Sequence, residues 1–408
     1  VSIRPFYGDF FGSPYPLEME LDRCSHNCAY CFANLNVPTR RINRDGLFRF
    51  IADYRNRKTL EATLMQQGYP VLISNVSDPF AASTHQVAVP AIRMLTELGV
   101  RVALQTRGGF GLDEVLEFLP PSHWYISICQ SDDADRARIE PNAPTLESRY
   151  KLMERLAKLG HLVSLGLQPL DPAWIPDPYP VLQRAFDSGA SGTWVQGLHF
   201  NRHQLTRLSP RQQQALGPDL IQAALVPAPR RDPALYWNTL ETAKRVGLAV
   251  FCASHPFETP YWDKIRELYP VTFPVMADFV NWCWRNLQDD VMVTFEDYWA
   301  VIGPRFPDGE WRIGDFIRVQ ARNIDQTNSY SRKMTFRALA QIVWNDYRVF
   351  VSPARNRAFG IPVGLDAEGE PVALSDEDGN AVYVFRRDVW AEPYLVVDNL
   401  DELPIKRD

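Results

Sequence analysis

The 408-residue sequence is poor in cysteine, with only six, which excludes a fold stapled together by disulfides. No stretch approaches the roughly 18 consecutive apolar residues that a membrane-spanning helix needs, so no membrane association is expected. The first residues, VSIRPFYGDF, lack a charged segment followed by an apolar one, and no export signal is read. Low-complexity tracts are absent. Neither charge sign dominates: the net charge of −6 argues against a general nucleic-acid coat, although a local basic face would survive it. Hydrophobic residues make up 46% and charged residues 23%, which supports one large α/β domain with additions, or two domains. A cytoplasmic setting is expected, in which the cysteines stay reduced and available for metal or thiol chemistry.

Short β-rich runs alternate with amphipathic stretches. The runs cover 17–23, 71–75, 100–105, 123–129, 161–167 and 193–197; the stretches cover 45–66, 85–98, 112–119, 145–159 and 180–188. In the first run Leu17, Met19 and Leu21 fall on one side, as a strand requires. In 145–159, Leu146, Leu152, Met153, Leu156 and Leu159 fall near helical spacing, and Gly160 is placed to stop the helix. This rhythm predicts parallel strands with right-handed crossovers. Six strands allow a partial (β/α)6 barrel or an open doubly wound sheet, and periodicity does not choose between them. In either, functional groups belong just past the C-terminal strand ends. Cys24, Asn75 to Asp78, Thr106, Arg107, Cys129, Gln168 and His199 stand there.

After about residue 200 the rhythm weakens. Helices are read at 212–225, 232–247 and around 279–287, a further strand at 248–252, and a small hairpin or sheet over 364–387. Pro-rich stretches at 169–180 and 227–233 are the nearest things to linkers. The division expected is a core domain over 1–256 and an accessory, substrate-side α+β region over 257–408.

The informative stretch is Cys24-Ser-His-Asn-Cys28-Ala-Tyr-Cys31, directly after the first expected strand. Thiolates this close can wrap one metal centre, because each supplies a soft charged ligand from the same backbone turn. Three centres are open on the residues alone. Cys24, His26, Cys28 and Cys31 could supply a structural zinc, although zinc knuckles usually come as two separated pairs. An electron-transfer cluster needs a fourth cysteine, from Cys129, Cys252 or Cys283. A [4Fe–4S] cluster on three cysteines leaves one iron open, and an open coordination position means chemistry.

Cys24-x3-Cys28-x2-Cys31, with Tyr30 before the last cysteine, resembles the radical S-adenosylmethionine enzymes. Further motifs resemble the spore photoproduct lyase and DNA repair photolyase-like branch. They are Asn75-Val-Ser77-Asp78-Pro79-Phe80, Gln105-Thr106-Arg107, Ser127 within its strand, and Arg138-Ile-Glu140-Pro141-Asn-Ala-Pro144 followed by Arg149. The resemblance covers about residues 15–200. It implies a partial (β/α)6 TIM-like barrel and a [4Fe–4S] cluster on Cys24, Cys28 and Cys31. It also implies S-adenosylmethionine cleaved to a 5′-deoxyadenosyl radical that takes hydrogen from substrate, in a lyase or oxidoreductase reaction. Tyr30 and Phe32 would lie beside the adenine. Asn75, Ser77 and Asp78 would mark the methionine ammonium zone. Thr106 and Arg107 would lie at the methionine carboxylate, with Arg107 standing where the branch usually has lysine. Ser127 would bond the methionine or its ribose. Cys129, outside the matching motifs, reads either as a small core hydrophobe or as a thiol that returns a hydrogen atom to a substrate radical, as a cysteine does in that branch. A reductant such as flavodoxin or ferredoxin and a DNA or RNA substrate are implied as partners.

Other clusters carry weaker expectations. Glu140 with Arg138 reads as a structural ion pair. His199 with His203, and Cys252 with His255, read as structural before a second metal site. Over 311–344, Arg312, Arg318, Arg322, Arg332, Lys333 and Arg337 interleave with Phe316, Tyr330 and Phe336, a pattern that suits a nucleic-acid backbone with stacked bases. The rivals to a nucleic-acid substrate are radical modification of a peptide or small metabolite and, from another class, a non-enzymatic zinc or electron-transfer protein.

Overall fold

The computed structural model describes residues 3–5, 13–33, 42–73, 75–200, 202–226, 232–250, 260–311, 333–345, 358–365, 367–369 and 371–387. They belong to two compact units. One comprises Val1–Arg4, Tyr15–Cys252 and Thr259–Thr272; the other comprises Pro5–Pro14, Ala253–Glu258 and Phe273–Asp408.

The first unit is built on strands β1 (Ile3–Pro5), β2 (Leu17–Met19), β3 (Val71–Ile73), β4 (Val102–Thr106), β5 (His123–Ser127), β6 (Leu162–Leu170), β7 (Gly192–Gly197) and β8 (Ala249–Val250). They lie side by side in chain order, and β2 through β8 pair in parallel. The connections carry α1 (Arg44–Asp53), α2 (Leu60–Gln66), α3 (His85–Glu97), α4 (Leu112–Phe118), α5 (Asp133–Ile139), α6 (Leu146–Lys158) and α7 (Tyr179–Asp187). Between β7 and β8 come α8 (Arg202–Leu205), α9 (Pro210–Leu216), α10 (Pro218–Ala223) and α11 (Pro233–Val246), and α12 (Pro260–Leu268) follows β8. The strand order never reverses, so it has none of the switch points of a doubly wound sheet. Right-handed crossovers in one direction place the helices on one face, as in a TIM-like barrel. Among the described residues no pairing of β8 with β1 closes the sheet.

The register separates two chemically different faces. Leu17, Met19, Val71, Ile73, Val102, Leu104, Trp124, Ile126, Val163, Leu165 and Leu167 share one face and are buried, as the helix-covered side demands. The other face carries Glu18, Gln105, Tyr125, Ser127, Ser164, Gly166, Gln168, Trp194 and Gln196.

The expected helix over 45–66 is two helices. A 3₁₀ turn at Tyr54–Asn56 and the extended Arg57 break it, and Thr59 restarts it by accepting from the Ala62 amide. Sequence periodicity missed α5, whose Asp132 cap accepts from the Ala134 and Asp135 amides. In α6, Leu146, Leu152, Met153 and Leu156 are buried as their spacing predicts, Leu159 is exposed, and Gly160 takes a φ of 80° beyond the helix end.

The second unit contains α13 (Met276–Asn286), β9 (Val291–Val293), α14 (Phe295–Ile302), α15 (Phe336–Trp344), β10 (Phe359–Gly360), β11 (Val363–Leu365), β12 (Pro371–Ala373) and β13 (Tyr383–Phe385). The expected hairpin over 364–387 forms only in part. β11 pairs with β12, whereas β13 leaves to lie between β9 and β10. Trp344 is the hub of its core, with ring centroids 4.8 Å from Tyr383 and 5.0 Å from Tyr298. Its indole donates to the Ala381 carbonyl at 2.6 Å, so the buried N–H is satisfied. Among the described residues no helix is long and apolar enough to cross a membrane.

Candidate functional site

The cysteine loop follows β2 at its C-terminal end. Its backbone is fastened from several elements. Ser77 donates to the Asp22 carbonyl at 2.7 Å, Ser83 to the Arg23 carbonyl at 3.0 Å, and Asn142 to the Ser25 carbonyl at 2.8 Å. The Ala29 amide donates to the Ile139 carbonyl at 2.8 Å, and Gln212 donates to the Ala29 carbonyl at 3.1 Å. Asn27, with a φ of 57°, turns the chain between the first two cysteines. Cys28 is buried; Cys24 and Cys31 are half-buried. Burial raises the Cys24 thiol, and Asp78 and Cys31 add to that shift. Burial raises Cys28 further, opposed by the Arg107 charge and reinforced by Glu140, Cys31 and Cys24. The three sulfurs are thus near enough to repel one another as thiolates.

Among the described residues, no group of three or more His, Cys, Asp or Glu side chains is arranged to hold a single metal ion. His26 is engaged elsewhere. Its Nδ1 lies 3.2 Å from the Asn142 carbonyl, and its Nε2 lies 3.1 Å from the Asp78 carboxylate in a poorly aligned approach.

Asp78 is a fully committed carboxylate. Its Oδ1 accepts from the Phe80 amide at 3.0 Å and the Thr106 hydroxyl at 2.7 Å; its Oδ2 accepts from the Arg107 amide at 2.7 Å. Burial pushes its acidity weaker, but His26, the Arg107 amide and Thr106 outweigh burial and hold the carboxyl below its usual range. Asp78 therefore locks the segment after β3 to the end of β4.

Glu140, completely buried at the end of α5, gathers the second node. It accepts from the Tyr30 hydroxyl, from Arg107 Nε at 3.0 Å and from Arg149 Nη2. Arg107 Nη2 donates to the Tyr30 hydroxyl at 2.8 Å. Arg149, also fully buried, donates to the Ser127 carbonyl at 2.9 Å and the Pro144 carbonyl at 3.1 Å. Burial alone would raise Glu140; Arg149, Arg107 and Tyr30 hold it down at about 2. The expected Glu140–Arg138 pair does not form. Residues two apart on a helix point in different directions, and Arg138 instead meets Asp135 and the Ala215 carbonyl. Arg107 keeps 18% side-chain exposure, and its Nη1 donates to none of the described residues.

Cys129 is buried past the end of β5. Its thiol donates to the Gln168 carbonyl at 3.1 Å and lies 3.5 Å from the Ser127 hydroxyl. Burial and then Glu140 raise its pKa. Tyr30 meets Trp174 with ring centroids 5.5 Å apart, and Phe32 is 37% exposed. Asn75 lies half-buried in the bend after β3.

The expected site residues thus fall into one neighbourhood around Asp78 and Glu140: Cys24, Cys28, Tyr30, Ser77, Thr106, Arg107, Ser127 and Cys129 are tied into it by the contacts above. Sequence reading undervalued Glu140 and Arg149 and missed Trp174. Cys252, His255, Arg312, Phe316, Arg318, Arg322, Tyr330 and Arg332 lie outside the described residues. His203 lies exposed in α8, and Cys283 is buried in α13 of the second unit.

The class these features define is an α/β protein with a parallel sheet in sequential order and a thiol-rich loop past the C-terminal end of its second strand. No family model matches the sequence, and no curated protein matches it. Among solved structures, spore photoproduct lyase complexed with dinucleoside spore photoproduct is similar at 14% identity and a TM-score of 0.40. That match covers 58% of this chain and 76% of that chain.

Proposed function

We propose that the chain is a radical S-adenosylmethionine enzyme, with Cys24, Cys28 and Cys31 holding a [4Fe–4S] cluster. The observation that carries this reading is the position of Cys24-x3-Cys28-x2-Cys31: at the C-terminal end of β2, on a loop pinned from four sides, with Cys28 in the field of Arg107. The donor set suits a cluster better than one zinc ion. A structural zinc needs a fourth ligand, and His26, the candidate the loop offers, is turned to Asn142 and Asp78. When bound, the cluster would supply the electron that cleaves the sulfonium of S-adenosylmethionine to a 5′-deoxyadenosyl radical.

The remaining roles belong to the chain itself. Arg107 is held by Glu140 and Tyr30 with Nη1 left over, which suits a fork toward a carboxylate. Asp78 spends its oxygens on Thr106, Phe80 and Arg107, so its part is to fix the segment Asn75–Ser77 beside the loop. Phe32 offers an exposed ring to an adenine. The Cys129 thiol, buried beside Ser127, would return a hydrogen atom to a substrate radical in this reading.

Nucleic acid is the substrate proposed, with flavodoxin or ferredoxin as reductant. Binding of a labelled oligonucleotide that weakens steeply between about 50 and 200 mM salt supports it; salt-independent or absent binding favours a peptide or small metabolite. The enzyme itself is tested by anaerobic reconstitution. About four iron and four sulfide per chain, lost in Cys24→Ala, Cys28→Ala and Cys31→Ala, with 5′-deoxyadenosine formed on reduction, is the result expected. A zinc-only protein, or a cluster that survives loss of one of these cysteines, overturns the reading.

A further inference from the structure

We infer that the polar sheet face spanning β4 to β7 is the substrate-recognition wall and that it takes an uncharged amide or imide group. The inference rests on the active-site reading above, because it assigns the substrate side of that same site.

The four strands β4, β5, β6 and β7 contain no Asp, Glu, Lys or Arg. Toward the N-terminal ends their polar face is filled and closed. The Tyr15 hydroxyl lies 2.6 Å from His123 Nδ1, and His123 Nε2 lies 2.9 Å from the Ser164 hydroxyl, all three buried. Toward the C-terminal ends the face opens and becomes a row of carboxamides. Tyr125 donates to Gln168 Oε1 at 3.2 Å, and Gln168 Nε2 donates to Gln196 Oε1 at 2.6 Å. Gln105 pairs in register with Tyr125 on this face and is half-buried without a hydrogen-bond partner among the described residues. Leaving the half-buried Gln105 amide unmade costs free energy that a ligand of matching chemistry recovers.

Gly166 makes this layout fit. A Cβ there would fall 2.0 Å from Cζ and 2.2 Å from the hydroxyl of Tyr125, so only glycine lets the phenol lie across β6 and reach Gln168. The resulting wall offers donors and acceptors in equal measure and no compensating charge. A carboxylate or phosphate there would lose hydration without gaining a cation, whereas an amide exchanges one set of hydrogen bonds for another. Of the nearby charges, Asp78 is committed to Thr106 and backbone amides and Glu140 to two arginines, while Arg107, held by Glu140 and Tyr30, keeps only Nη1, which the proposed function gives to the cofactor carboxylate at the rim. The division of labour is a charged rim at the ends of β3 and β4 and a neutral wall across β4 to β7.

Saturation-transfer NMR on full-length Arg107→Met, which lacks the rim guanidinium that could hold an anion, with succinamide, succinimide and the near-isosteric dianion succinate tests the inference without cluster or cofactor. Its failure is thereby separable from failure of the cluster reading, which iron and sulfide analysis decides. Saturation of succinamide or succinimide at least about tenfold above succinate is expected. Succinimide alone assigns a ring and succinamide alone an open-chain amide. Gln168→Leu should weaken the amide signal about fivefold or more. Gln196→Leu, at an exposed position, carries the same test if the first variant fails to fold. Succinate bound as well as the amides, or amide binding unchanged in the folded variants, overturns the inference.

Discussion

Arg107 Nε lies 3.0 Å from Oε1 of the fully buried Glu140, although 33 residues separate them. The same carboxylate holds Arg149 and the Tyr30 hydroxyl, so the end of β4, the end of α5, the start of α6 and the cysteine loop meet on one side chain. Glu140→Gln leaves two guanidiniums facing a neutral group, and the expected loss is about 3–5 kcal/mol in urea unfolding. Arg138→Ala removes a partly exposed pair with Asp135 and a hydrogen bond to the Ala215 carbonyl and should cost less than about 2 kcal/mol. Equal losses in the two variants would contradict the assignment of Glu140 as the node.

The same carboxylate predicts an acid limit. Its folded pKa of about 2 lies below the ordinary 4.5, so its contribution is complete above about 4.5 and drains away as pH falls toward 2. The amount is on the order of 3 kcal/mol. Urea midpoints followed from pH 6 to pH 3 should fall more steeply in the wild type than in Glu140→Gln. Parallel profiles count against a depressed Glu140.

Arg107 also sets a cofactor prediction. Lysine can supply charge but not the fork that binds Glu140 and Tyr30 while keeping Nη1 for a ligand. Arg107→Lys should weaken S-adenosylmethionine binding about tenfold in equilibrium dialysis of the reconstituted protein, and Arg107→Met more. Unchanged affinity in both removes Arg107 from the cofactor site.

Cys129→Ala separates radical formation from radical quenching. The thiol is no cluster ligand in this reading and meets Gln168 and Ser127, so 5′-deoxyadenosine formation and iron content should hold while the products from substrate change. Unchanged products and unchanged coupling would leave Cys129 a core residue.

Much of the architecture was legible because parallel strands and amphipathic helices each impose a period. Leu152, Met153 and Leu156 announce α6, and the run 161–167 announces β6. Helix α5 was not legible: Asp133 to Ile139 buries only Ile139, so it has no apolar stripe to read, and its signals are the Asp132 cap and the arginines of its last turn. The break inside 45–66 was hidden for the converse reason, since apolar spacing runs on past the 3₁₀ turn at Tyr54. In the site, local spacing exposed the cysteines, whereas the Glu140–Arg107 bond depends on the end of α5 lying beside the end of β4. Arg149 stood in the sequence only as the last residue of a resembling run, and its partners appear only once the fold buries it. The split of the sheet into apolar and carboxamide faces was present in the alternation of LVSLGLQ but gains meaning only from the register with β5 and β7.

The central claim is an iron–sulfur cluster held by three side chains and open at one iron. Mössbauer spectra of the anaerobically reconstituted chain, recorded with and without S-adenosylmethionine, address it directly. The account predicts that one iron in four shifts to a higher-coordinate signature when S-adenosylmethionine is added and the other three do not. Four irons that never respond, each already fully liganded by the protein, would contradict it.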